Sequence, residues 1–159
     1  MNADRELRAE ANVSAPPDRV WALLTDLRRM PEWSPELMRM IPLKPGGLRV
    51  GQWYLGLNRR KVVLWPTRNV VAVLDPGRAL AWDTTSSGAR WIWEIEPEGA
   101  GDGVGTHVVH RRPVPRQLTR LGRAFAPVAL GGNEEHADEL EAGMAQTVGR
   151  LKAAAEADA

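Results

Sequence analysis

The sequence predicts one α+β domain, in which a first strand is followed by two short helices, a meander of six further strands and one long C-terminal helix. Short segments with strand-like alternation, separated by turn residues, predict the meander, and apolar residues at helical spacing predict the final helix. A chain of 159 residues is of ordinary size for one domain and can bury a substantial core. Residues 1–159 are therefore expected to form a single domain.

Two short helices are predicted after the first strand, which covers residues 5–13. Ser14, followed shortly by two prolines, is suited to cap the first helix. Apolar residues then recur at helical spacing until two further prolines break the pattern, which places a second short helix near residues 30–33. The apolar stripe consists of Val20, Trp21, Leu23, Leu24 and Leu27.

Alternation and turn chemistry predict the remaining strands. They cover residues 37–43, 52–57, 61–74, 79–85, 89–96 and 106–112, with an interruption of the segment 61–74 near Pro66. The period of two places Trp91 and Trp93 on one face of their strand and Glu94 on the other. The final helix is predicted from about residue 133, and its apolar stripe is expected to pack on the sheet. That stripe consists of Leu140, Met144, Val148 and Leu151.

The composition excludes several classes of function. Lys and Arg number 21 against 20 acidic residues, and a net charge of +1 gives no general attraction to nucleic acid. The absence of cysteine excludes disulfides, thiolate nucleophiles and cysteine-ligated metals. No apolar run approaches the ~20 residues that a membrane span requires, and the N-terminus is polar, so we expect a cytoplasmic protein without integral membrane association.

Tryptophan is unusually abundant, with seven residues against one Tyr and one Phe. Large aromatic side chains fill protein cores, and their flat faces and indole N–H groups also suit an aromatic ligand. Both roles are open for each tryptophan, and two or three are expected to line a cavity. The seven are Trp21, Trp33, Trp53, Trp65, Trp82, Trp91 and Trp93.

Two histidines and two charged residues lie on predicted strands. His107 and His110 stand three apart, so they point to opposite faces and cannot hold one metal ion together. Whichever of them faces inward is a candidate general base, because imidazole titrates near neutral pH. Asp83 and Arg90 alternate with tryptophans, so we expect these charges to face water if the tryptophans face inward.

Four segments carry a resemblance to a known family. They are SAPPDRVWALL at residues 14–24, DL and MPEW at 26–27 and 30–33, WIWEIEP at 91–97, and GTHV at 105–108. Together they resemble the START-like (SRPBCC, helix-grip) superfamily, in particular its bacterial polyketide cyclase/dehydrase and lipid-transport branch. The resemblance implies a seven-stranded curved antiparallel sheet wrapped around the long C-terminal helix. Members hold lipids, sterols, aromatic polyketides or plant hormones in the cavity between sheet and helix.

The resemblance implies one ligand site without cofactor or metal, in a monomer or homodimer, for a small hydrophobic or aromatic molecule. The candidate ligand-binding residues are Trp53, Leu55, Trp65, Arg68, Trp82, Trp91, Trp93, His110, Leu140 and Met144. Aromatase and cyclase members are thought to polarise carbonyl groups with Tyr, Ser or Thr, and Arg. The nearest matches are Tyr54 and the Thr67-Arg68 pair, and no catalytic residue is assigned. The segment 116–132 is expected to cover one end of the cavity.

Three functions remain open at this stage: binding of a small hydrophobic or aromatic ligand, a cyclase, aromatase or dehydratase reaction on a poly-carbonyl substrate, and protein interaction. A wholly apolar cavity lined by tryptophan would favour binding. An inward arginine with a hydroxyl or imidazole within reach would favour proton transfer. An exposed apolar patch without a sizeable cavity would favour an interaction module.

Overall fold

The computed structural model describes residues 5–99, 104–113 and 133–157. These residues contain seven strands and two α-helices. In chain order they are β1 (Leu7–Val13), α1 (Pro17–Leu24), β2 (Leu37–Pro42), β3 (Trp53–Arg60), β4 (Val63–Asp75), β5 (Ala79–Thr84), β6 (Ala89–Glu98), β7 (Gly105–Arg112) and α2 (Asn133–Ala157). The second predicted short helix is a single 3₁₀ turn, Met30–Glu32. The predicted order of elements is confirmed.

All seven strands belong to one curved antiparallel sheet with the spatial order β1-β7-β6-β5-β4-β3-β2. The strands from β2 to β7 each lie beside their neighbours in the chain, as expected for a meander, and β1 pairs with β7. The sheet is therefore open, with β1 and β2 at its edges. The predicted helix-grip architecture is confirmed.

The start of α1 differs from the prediction that Ser14 caps it. The helix begins at Pro17, and no side chain bonds to its first turn. A proline in that turn has no N–H to satisfy, which removes one of the free donors that a cap would serve. The N–H of Ser14 instead donates to the carboxylate of Glu156 at 2.9 Å, which ties the end of β1 to α2.

Pro66 lies within one continuous strand and does not interrupt it. It stands opposite Leu57 in the pairing of β3 with β4. The pairing of β4 with β5 begins only at Asn69, so at Pro66 the strand β4 has a neighbour on one side alone. A proline is tolerated at such an edge because one side of the strand needs no ladder hydrogen bond.

The C-terminal helix packs mainly against β1, and also against α1 and β7, through its predicted apolar stripe. Met144, Val148 and Leu151 are at most 3% exposed, and Leu140 is partly buried against the same core. The predicted packing of the stripe on the sheet is confirmed. Ala155 continues it toward the C-terminus and is fully buried.

Charged side chains of α2 also bond to backbone groups along the edge strand. An edge strand exposes N–H and C=O groups that no neighbouring strand satisfies. The helix supplies partners for three such groups, and so holds β1 by its edge as well as by its apolar face. The pairs are Glu141 with the N–H of Arg8 at 3.2 Å, Glu156 with the N–H of Ser14 at 2.9 Å, and Lys152 with the carbonyl of Asn12 at 2.6 Å.

The predicted cover of the cavity, residues 116–132, lies outside the described residues. Among the helices that are described, none has the length and apolar character to cross a membrane.

We expect Met144→Asp to lower the free energy of unfolding by about 2 kcal/mol or more, because it places an unpaired carboxylate in the core. Gln146→Asp is the matched control, since Gln146 is exposed on the same helix and surface changes usually stay within ~0.5 kcal/mol. Urea unfolding followed by circular dichroism measures both. Equal losses in the two variants would contradict the placement of α2 on the sheet.

Candidate functional site

One face of the sheet is turned toward α2, and we call it the inner face. Trp93 marks it, because its side chain is buried in the core that α2 completes. The register carries this face across the sheet, since Trp93 lies opposite His110 on β7 and opposite Leu80 on β5. Trp91 lies opposite Trp82 in the same way. Four predicted site residues, three of them tryptophans, therefore share the inner face.

Three further predicted site residues belong to the same side. Trp65 lies six residues before Val71, which is opposite Trp82, so strand alternation puts Trp65 on the inner face. Leu140 and Met144 reach the common core from α2. The aromatic surface of the sheet and the apolar stripe of the helix therefore face one interior.

The other three predicted residues, Trp53, Leu55 and Arg68, lie on the outer face. Leu55 pairs with Arg68, and both alternate with inward residues of their strands. Tyr54, next to Trp53, is the inward residue and is buried. The prediction that Trp53 points to the interior is therefore wrong. Its strand carries apolar residues on both faces, so the pattern alone does not decide which face is inward.

His110 is stacked between the inner-face tryptophans and is buried. Its ring centroid lies 3.9 Å from that of Trp93, with 16° between the planes, and 5.9 Å from that of Trp91, with 23° between the planes. Nδ1 lies 3.0 Å from the carbonyl oxygen of Ile92. Because a carbonyl only accepts, Nδ1 carries the proton and Nε2 of the neutral ring carries the lone pair.

Burial lowers the pKa of His110 to about 4, while its hydrogen bond to the carbonyl of Ile92 acts in the opposite direction. The ring is therefore neutral at pH 7. A base with so low a pKa takes up protons poorly near neutral pH, because general bases work best when their pKa lies close to the working pH. His110 is better suited to stack and to accept a hydrogen bond than to abstract a proton.

His107 lies on the outer face, so the prediction that the two histidines point to opposite faces is confirmed. Its Nδ1 is 2.6 Å from the side-chain oxygen of Asn12, and its Nε2 is 3.4 Å from the carboxylate of Glu10. Within the described ranges, no three His, Asp or Glu side chains are placed to hold a metal ion together. Asp83 and Arg90, predicted to face water, form an ion pair at 2.7 Å on the outer face.

A ladder of amide and hydroxyl side chains crosses the inner face beside the tryptophans. Thr84 donates its hydroxyl to the side-chain oxygen of Asn69 at 2.7 Å, and the amide of Asn69 donates to Thr67 Oγ1 at 3.2 Å. Asn58 donates to the same hydroxyl oxygen at 3.2 Å. We call these four residues, Asn58, Thr67, Asn69 and Thr84, the polar ladder. It shows that the inner face is not wholly apolar.

Gly56 makes room for the polar ladder. A Cβ at this position would lie 2.6 Å from Thr67 Oγ1 and 3.1 Å from the side-chain nitrogen of Asn69, and the first distance is too short for any real contact. Tyr54, the next inward residue of β3, lies opposite Asn69. Burial raises the pKa of the Tyr54 hydroxyl, which keeps that hydroxyl protonated and available as a donor.

Neither Arg112 nor most of the polar ladder was predicted from the sequence. Arg112 ends β7 two residues after His110, and its guanidinium carbon lies 5.6 Å from the centroid of the Trp91 ring. The alternation of Trp65, Thr67 and Asn69 was visible in the sequence. A polar residue in a strand is usually read as facing water, however, and the inward parity becomes known only from the pairing of β4 with β5.

A separate open groove of about 630 Å³ runs between β1 and α2. Small side chains and charged side chains line it, and Ala9, Ala11, Ala142, Ala145 and Gly149 are the small ones. None of the inner-face tryptophans contributes to it. The groove is a feature of the helix and strand edge and lies apart from the aromatic surface.

We expect Gly56→Ala to lower the free energy of unfolding by about 1–3 kcal/mol, because the new methyl group displaces the Thr67 hydroxyl and breaks the polar ladder. Gly149→Ala is the control, since a Cβ there meets open space on α2 and alanine favours helix by ~1 kcal/mol over glycine. Chemical denaturation compares the two. A neutral Gly56→Ala would contradict the crowding.

We expect the stability of the protein to depend on pH through His110. Its folded pKa of about 4 lies below the ordinary value near 6.5, so its contribution is complete above pH 6.5 and falls as the pH drops from 6.5 toward 4. The loss amounts to about 3 kcal/mol at most. Unfolding in urea between pH 7 and pH 4 measures it, and His110→Asn should flatten this part of the profile. The same slope in both proteins would show that His110 is not the titrating group.

The geometry agrees with what comparison with known proteins finds. The model of the family described as polyketide cyclase/dehydrase and lipid transport matches residues 4–156. A polyketide-cyclase-like protein from Corynebacterium glutamicum is 25% identical, over 96% of this chain and 92% of its own, with a TM-score of 0.68. XoxI from Bacillus cereus is 13% identical, over 95% of both chains, with a TM-score of 0.68, which shows the fold alone.

A larger solved structure is also similar. The di-domain ARO/CYC protein StfQ of the steffimycin biosynthetic pathway is 16% identical over 96% of this chain, with a TM-score of 0.69. This chain covers 51% of StfQ, so it corresponds to about half of that protein. No curated protein matches the sequence significantly. The family match over residues 4–156 and the helix-grip fold together show that the chain belongs to the polyketide cyclase/dehydrase and lipid transport family.

Proposed function

We propose that this protein binds one small hydrophobic or aromatic ligand between the inner face of its sheet and the helix α2. The observation that carries the proposal is the pair Trp82 and Trp91, which lie opposite each other on the inner face and are only partly buried. Beside them on the same face, Trp93 and His110 are stacked and buried. A rigid aromatic surface of this kind suits a flat apolar molecule.

The placement of α2 supports the proposal. The helix packs mainly on β1, at one edge of the sheet, with β7 and α1 as its other main neighbours. The inner faces of β4 and β5 are therefore not where the helix makes its main contacts, and they carry Trp65, Trp82 and the polar ladder. In the proposed complex Leu140 and Met144 close the site from the helix side.

The polar ladder supports a ligand that is not purely hydrocarbon. Buried amide and hydroxyl groups fix the orientation of a ligand by hydrogen bonding to its oxygen atoms. Tyr54 lies opposite Asn69 in the sheet, and burial raises the pKa of its hydroxyl, which stays protonated. The family description supports the same class of molecule, because it names polyketide chemistry and lipid transport.

A second candidate function is a cyclase, aromatase or dehydratase reaction on a poly-carbonyl substrate. The observation that favours it is the inward Arg112, which shares the end of β7 with His110. An arginine on the inner face can polarise a carbonyl group. The low pKa of His110 weakens this candidate, because the proton transfer would need another base.

Native mass spectrometry of the freshly purified protein tests whether the protein binds a ligand, transforms one, or does neither. A retained small molecule of constant mass supports binding, and a substrate-to-product mass change on incubation with a poly-carbonyl compound supports the enzyme. Mass spectra of the bare chain after gentle purification, together with the failure of the titration below, would contradict both.

We expect polycyclic aromatic compounds, sterols or fatty acids to include at least one ligand that quenches the tryptophan fluorescence and raises the melting temperature. Trp91→Ala should weaken its binding about tenfold or more, because the ligand loses a stacking surface. Trp53→Ala is the matched control and should leave the affinity within about twofold, since Trp53 lies on the outer face. If no compound quenches or stabilises, the proposal fails, and if Trp91→Ala and Trp53→Ala behave alike, the site lies elsewhere.

A further inference from the structure

Arg112 lies on the inner face of the sheet, whereas its sequence neighbour Arg111 lies on the outer face. Arg111 points outward, where it donates to the carboxylates of Glu94 and Glu6. Arg112 lies opposite Leu7 of β1, which is 1% exposed and part of the core. One arginine of the pair is therefore neutralised at the surface, while the other points toward the interior.

The buried Nε of the Arg112 guanidinium has no hydrogen-bond partner among the described residues. In the same part of the chain, no carboxylate lies within ion-pair distance of the guanidinium. The guanidinium lies over the ring of Trp91, at 5.6 Å. Burial lowers the pKa of Arg112, yet arginine stays protonated in proteins, so a positive charge remains in this partly apolar place.

Among the described residues, no carboxylate neutralises that charge. The stretch of sequence after Arg112, residues 113–133, contains three arginines and neither Asp nor Glu. A buried charge without a partner is costly, and buried charges in proteins are as a rule paired. A second donor in the same aromatic cluster, the indole Nε1 of Trp93, is also buried without an acceptor. Within the described part of the chain, the cluster therefore has no acceptor for these two donors and no negative charge beside the guanidinium.

We propose that the ligand carries a carboxylate, which Arg112 binds while the apolar body of the ligand lies on Trp91 and Trp82. The inference rests on the proposed ligand site and adds the chemical class of its occupant, an aromatic or otherwise apolar monocarboxylic acid. Nε and one terminal nitrogen of a guanidinium form a planar fork that fits the two oxygens of a carboxylate. Among the described residues, Arg112 is the one cation that lies over an inner-face tryptophan, and one cation matches one negative charge better than the double charge of a phosphate.

Paired ligands that differ only in charge test the proposal. The probes are 2-naphthoic acid and 1-pyrenecarboxylic acid, each with its methyl ester, titrated by calorimetry at pH 7. We expect the wild-type protein to bind the acid about tenfold or more tightly than the ester, because only the acid supplies a charged acceptor to the buried guanidinium. Buried pairs are screened little, so the preference should persist between low and high salt.

Variants of Arg112 test whether this residue causes the preference for the acid over the ester. Arg112→Met should reduce it to about twofold or less while leaving the affinity for the ester within about threefold, and Arg112→Gln should do the same with a polar side chain. Arg112→Lys, which keeps the charge but loses the planar fork, should retain part of the preference. Arg90→Met is the matched control, since Arg90 is an ion-paired arginine of the outer face, and should keep the full preference.

The outcomes are distinguishable. If the wild type binds acid and ester equally, or if Arg112→Met keeps the preference, the carboxylate proposal fails and the ligand site stands. If the wild type binds neither acid nor ester, the proposed aromatic carboxylic acid is contradicted, and the titration with polycyclic aromatics, sterols and fatty acids decides the ligand site separately. The ligand-free melting temperature is a further readout, because removal of an unpaired charge by Arg112→Met should leave it unchanged or raise it. A marked fall would reveal a partner within the chain and overturn the proposal.

Discussion

The attachment of α2 to the edge strand β1 is the constraint on which the rest of the structure depends. The helix buries its apolar stripe against β1 and α1, and its charged side chains satisfy backbone groups along the free edge of β1. A free edge would otherwise be a template for pairing with another chain. The curved sheet continues from this edge through β7 and β6 toward β2, and α2 also reaches β3, where Glu139 forms an ion pair with Arg60 at 2.6 Å. Among the described residues, the middle of the inner face is formed by side chains of the sheet itself.

The side chains in the middle of the inner face are partly aromatic and partly polar, and this combination supports the proposed ligand site. Trp91 and Trp93 stack on His110, and the polar ladder begins in the neighbouring strand with Thr84. Arg112 lies on the same face, and its buried Nε has no hydrogen-bond partner within the described part of the chain. Polar groups kept in an interior at a cost in stability are typical of binding sites.

The sequence predicted the fold and about half of the candidate site, and the misses have physical causes. The order of strands and helices and the burial of Met144, Val148 and Leu151 followed from periodicity, which is a local property. The inward faces of β5 and β6 were predicted because their tryptophans alternate with charged residues. On β3 both faces are partly apolar, so Trp53 was placed on the wrong face. Arg112 was not predicted, because it belongs to a run of basic residues, and such runs are usually solvent-facing.

By itself the amino-acid sequence determined which segments become strands and helices, because alternation, turn residues and helical spacing act over a few neighbouring residues. It also indicated that tryptophan side chains would contribute to the interior, where Trp33 and Trp93 are buried. Only the tertiary structure decided which face of each strand is inward, which of two arginines has no counter-charge among the described residues, and that Asn58, Thr67, Asn69 and Thr84 meet in one ladder. These depend on strand register, and a shift of one residue would turn every side chain of a strand to the opposite face.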